Sequence, residues 1–113
     1  MGRALLTLTF AMTSVGWAAG QSVSVRDRTD ALQHYRAGEE ALHGERFDVA
    51  EREFRAAVKL DPLLYFAHYG IGQVFMFTKR YPLAVLAFVD AREAFRQATA
   101  QDLCAGMSAL VIR

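Results

Sequence analysis

A chain of 113 residues is long enough for one small domain, and 53% apolar against 22% charged residues excludes intrinsic disorder and collagen-like fibres. Thirteen Lys and Arg against twelve Asp and Glu leave a net charge of +1, which gives no electrostatic basis for nucleic-acid or anionic-membrane binding. The single cysteine, Cys104, excludes an internal disulfide framework and a cysteine-rich zinc site.

In chain order, Met1–Gly20 comes first. Arg3 precedes an apolar run from Ala4 to Met12, and small residues cluster at Ala18, Ala19 and Gly20. Basic start, apolar middle and small-residue end are the order of a secretory signal peptide, with cleavage expected after Gly20. The apolar run is shorter than the about 20 residues a membrane span needs. A retained signal anchor is the competing reading. Residues 21–30 read as a linker, and the expected location is outside the cytoplasm.

Beyond the linker the chain repeats with a period of 34 residues. Shifting Ala31–Leu64 onto Tyr65–Ala98 matches His34 with His68, Tyr35 with Tyr69, Gly38 with Gly72 and Arg46 with Arg80. Further on, Ala50 meets Ala84, Phe54 meets Phe88 and Ala57 meets Ala91. The matched residues are mainly small and aromatic, the types that set how closely helices approach.

Each unit reads as two helices. Ala31, Leu32, Tyr35, Ala41 and Leu42 recur at three- and four-residue spacing, and Gly44-Glu45-Arg46 interrupts them. A second stripe, Phe47, Ala50, Phe54, Ala57 and Val58, runs to Asp61-Pro62, where proline ends the helix. In the second unit a helix over 63–77 is followed by a turn at 78–81. Pro82 then sits at the start of the next helix, where its missing N–H costs nothing.

This pattern resembles the tetratricopeptide repeat, over 31–64 and again over 65–98. The residues that carry the likeness are Ala37-Gly38, Phe47, Ala50, Phe54, Ala57 and Asp61-Pro62 in the first unit. Ile71-Gly72, Phe75, Tyr81, Ala84, Phe88 and Ala91 carry it in the second. His34 and His68 stand where the family usually has Trp, and the second unit lacks its closing Pro. The fold implied is an all-α solenoid of two helix-turn-helix repeats plus a third C-terminal helix over 99–113. That helix continues in phase, with Ala105-Gly106 where Ala37-Gly38 and Ile71-Gly72 fall. It reads as a cap, as half of a further repeat in a longer array, or as a self-association surface that would give a homodimer.

The resemblance implies a concave groove lined by the first helix of each unit. Its positions are Leu32, Tyr35, Glu39, Leu42 and His43, then Phe66, Tyr69, Gln73, Met76 and Phe77, with Leu103 and Met107 added by the last helix. Such a surface would take an apolar peptide or protein segment. The opposing reading is that these side chains are packing residues. The Lys and Asn clamp by which one subclass grips a carboxylate terminus has no counterpart, since Tyr35, Glu39 and Gly70 hold those places.

Catalytic chemistry finds little footing. His34 and His68, one period apart, read as residues with one shared packing role, and no carboxylate or Cys lies three or four residues on to complete a metal site. Gly70-Ile71-Gly72 lacks the third glycine of a dinucleotide loop, because position 75 is Phe75. Cys104 lies on the apolar face of its helix and reads as a buried, inert thiol. The charges at Glu51, Arg52, Glu53 and Arg55 read as a solvated face. The expectation is a non-catalytic protein-interaction module with no cofactor and no metal. The alternative is a self-assembling structural subunit or a piece of a longer array.

Overall fold

Ser24 opens the first helix. Its hydroxyl accepts the Asp27 backbone N–H at 3.0 Å and donates to the Asp27 carboxylate at 2.7 Å, which satisfies an N–H group that the first turn leaves unpaired. The computed structural model describes residues 22–111, with side chains through Gly106. It contains α1 (Val25–His43), α2 (Phe47–Leu60), α3 (Tyr65–Phe77) and α4 (Tyr81–Val111), and no strand among the described residues. The export segment expected over Met1–Gly20 lies outside the described residues.

The helices pack in chain order: α1 on α2, α2 on α3, α3 on α4, with a smaller contact of α1 with α3. Glycines set the approach within each pair. A Cβ added at Gly38 would lie 2.7 Å from the Phe54 ring, and one at Gly72 would lie 2.5 Å from Phe88. Gly70 of α3 meets Phe54 from the next pair, where a Cβ would lie 2.6 Å from the ring. Phe54 is fully buried by these neighbours, worth about 2–3 kcal/mol for a ring of its size. Around it lie Ala41, Ala50, Ile71, Val74 and Phe75.

Asp61-Pro62 breaks the chain between the pairs. The Asp61 side chain accepts from the Leu63 N–H at 3.2 Å and its carbonyl from the Leu64 N–H at 3.1 Å, so α3 starts at Tyr65 rather than at position 63.

Three expectations need correction. The linker over 21–30 is helical from Val25 onward, because Ser24 and Asp27 form a cap upstream of the apolar stripe. The separate helix expected over 99–113 is the continuation of α4 as far as Val111. Phe95-Arg96 replaces Asp61-Pro62 at the point one period on, and neither residue stops a helix. As a result α4 runs 31 residues and Cys104 is exposed rather than buried.

Candidate functional site

Of the residues proposed for a groove, Leu32, Phe66, Tyr69, Met76 and Phe77 are exposed, while Tyr35, Glu39, Leu42 and Gln73 are half-buried. The contact of α1 with α3 brings Tyr35 and Phe66 together, with ring centroids 6.2 Å apart. Tyr35 also leans on Phe54 at 5.9 Å. Burial, and then the neighbouring Glu39 carboxylate one turn along, raise the Tyr35 hydroxyl above its usual pKa, so it is neutral at physiological pH. Further along, Phe77 is 62% exposed yet stacks on Phe47 at 5.7 Å. Leu42 packs against the core from the same helix as Tyr35.

Phe66 and Tyr69 share an open groove of about 780 Å³ with Tyr65 of α3 and with Phe88, Ala91, Arg92 and Phe95 of α4. Its walls are apolar and aromatic, with Tyr65 edge-on to Phe95 at 5.0 Å and Tyr69 tilted over Phe88 at 5.2 Å. Leu32, Glu39, Gln73, Met76 and Phe77 do not line it.

The sequence reading missed Tyr65, Phe88 and Phe95 as surface residues. The signal was present in the period. Moved back one repeat, the groove residues fall on Ala31, Leu32, Tyr35, Phe54, Ala57, Val58 and Asp61. In the first pair α3 lies over part of that surface, through Gly70 on Phe54 and Phe66 on Tyr35. In the second pair the equivalent surface is open, so Phe88 is half-buried where Phe54 is fully buried.

Other candidate chemistry is sparse. His34 donates to the Glu53 carboxylate at 2.7 Å and so ties α1 to α2. His68 instead donates to the Pro62 carbonyl at 2.9 Å. The two histidines therefore differ in role despite their equivalent positions, because Ala87 stands where a second Glu53 would be needed. Glu51 is half-buried between Arg55 at 3.0 Å and Arg80 at 2.7 Å, a bridge from α2 to the turn before α4 rather than a solvated face. Among the described residues no three His, Cys, Asp or Glu side chains converge as metal ligands would. No helix among them is long and apolar enough to cross a membrane.

No protein-family model, curated protein or solved structure matches the chain.

Proposed function

We propose that the chain is an exported, non-catalytic interaction module of tetratricopeptide type, which holds an apolar peptide or protein segment against α1 and α3. The observation that carries the reading is the row of exposed apolar side chains on the first helix of each pair. Leu32 stands on α1; Phe66, Tyr69, Met76 and Phe77 stand on α3. Large side chains exposed in a row lose water when a partner covers them, so such patches mark interaction sites. The paired packing of α1 on α2 and α3 on α4, with glycines at equivalent contacts, supports a repeat solenoid. Export, to a bacterial envelope by resemblance, goes with the signal-like order of Met1–Gly20.

The test is selection of binders from a displayed library of apolar peptides, followed by titration against the Tyr69→Ala/Phe77→Ala variant. Both side chains are more than half exposed, so the variant keeps its fold. Loss of binding with unchanged circular dichroism is expected; equal binding would reject the site.

A second reading, a piece of a longer array, is favoured by the open groove between α3 and α4. Its residues repeat the surface that receives α3 in the first pair, so a further repeat has a place to sit.

A further inference from the structure

Among the described residues α4 packs against one helix only, α3. Its buried alanines Ala84, Ala87, Ala91 and Ala94 recur at three- and four-residue spacing and form one side of the helix. The side turned away from them should be polar on a helix facing water. It is apolar instead: Val85 is 60% exposed and Leu103 64%, and Val89, Ala100 and Cys104 are exposed as well. Leu86, 61% exposed, stands at the edge, where it also borders a hollow walled by Arg55, Val58 and Lys59 of α2. At about 100° per residue these six positions fall within roughly a quarter to a third of a turn, between Val85 and Cys104 of α4.

Two charges interrupt this stripe at its middle. Glu93 and Arg96 lie in the same arc and pair with each other at 3.0 Å. The order apolar, charged, apolar is complementary to itself when reversed. With a second copy turned end for end about a point between Ala94 and Phe95, Leu86 faces Leu103 and Val89 faces Ala100. Val85 faces Cys104, and each Arg96 faces the other copy's Glu93. A parallel pairing would set Arg96 against Arg96 and Glu93 against Glu93, which like-charge repulsion disfavours.

We propose that this face of α4 binds a second copy of the chain, as an antiparallel dimer with its twofold axis between Ala94 and Phe95. The charged middle fixes direction and register, as a polar position does in an apolar helix seam. The apolar flanks supply the burial. A further repeat in a longer array would occupy the groove beside Tyr65 and Phe95, on a different side of α4, and leaves this face free. The peptide surface on α1 and α3 is likewise separate, so either proposal can fail without the other.

The test begins with sedimentation equilibrium of the full chain, which should give twice its mass of 12.6 kDa. Mild oxidation of a Val85→Cys variant then reads the register. Within one copy positions 85 and 104 lie about 28 Å apart along the helix, too far for a disulfide. Across the dyad they are opposite, so a thiol-reversible covalent dimer is expected. The control Val85→Cys/Cys104→Ser should stay uncrosslinked, since its two new thiols also lie about 28 Å apart. Glu93→Arg should weaken the dimer about tenfold, and adding Arg96→Glu should restore it. All these positions are solvent-facing, and circular dichroism checks that each variant stays folded. A monomeric mass, an uncrosslinked Val85→Cys chain, crosslinking of the Val85→Cys/Cys104→Ser control, or failure of the charge exchange to restore pairing would each overturn the proposal.

Discussion

Glu45 and Lys79, one sequence period apart, hold the same left-handed backbone, with φ of 58° and 60°. Each ends a helix in the same way. The N–H of Arg46 reaches the Ala41 carbonyl at 2.9 Å, and the N–H of Arg80 reaches that of Phe75 at 2.8 Å. Glu45 and Lys79 bond back to Leu42 and Met76 at 3.0 and 3.1 Å. These paired bonds form a Schellman closure, in which the left-handed position usually belongs to glycine. A side chain there costs about 1–2 kcal/mol of steric strain, partly offset because glycine has more freedom to lose on folding. Glu45→Gly and Lys79→Gly should therefore each raise stability by about 0.5–1 kcal/mol. Urea unfolding measures this, and a loss of stability in both variants would contradict the closure geometry.

Replacing glycines with alanine should give opposite signs at different sites. At Gly38 and Gly70 a Cβ would press on the Phe54 ring at 2.7 and 2.6 Å. Fully enclosed, that ring has little room to retreat, so each change should cost about 1–3 kcal/mol. At Gly106 no atom lies within 4 Å, and alanine should stabilise the helix by about 0.5–1 kcal/mol. Thermal melts of the three variants would expose a wrong account if Gly70→Ala matched Gly106→Ala.

Acid should act through Glu51. Burial alone would raise its carboxyl, but hydrogen bonds from Arg80 and Arg55, with their charges, outweigh this and hold it below the ordinary 4.5. A carboxyl lowered in the folded state contributes stability above its unfolded value. That contribution fades as pH falls through the folded value. Glu51→Gln should thus be less stable than the parent at neutral pH, with the gap closing below about pH 4. Urea midpoints across that range test it; a gap independent of pH would rule out the charge as its source.

Much of the helical outline was legible because its signals are local. Apolar spacing marked α1, α2 and α3, and Asp61-Pro62 marked the break before α3. The end of the second pair was not legible from pattern alone. Ala105-Gly106 falls in phase with Ala37-Gly38 and Ile71-Gly72, which lie inside α1 and α3, yet phase does not make a turn, and nothing near Phe95 breaks a helix. Cys104 followed the same error: its helix face is apolar, but among the described residues that face meets no other element. The two turns were legible at Gly44-Glu45-Arg46 and at 78–81, but not which residue in each takes the left-handed backbone, because Glu45 and Lys79 are not glycines. For the groove, the positions on α3 came from the tetratricopeptide resemblance, and Phe66, Tyr69, Met76 and Phe77 among them are exposed. What joins Phe66 to Phe88 and Phe95 depends on α4 lying alongside α3, which no single helix pattern contains.

The Phe54 ring belongs to two joints at once, because Gly38 from its own pair and Gly70 from the next both rest on it. A crack opening at either joint would strip the same ring bare. Loosening one joint therefore weakens the other, and a single side chain ties α1, α2 and α3 together.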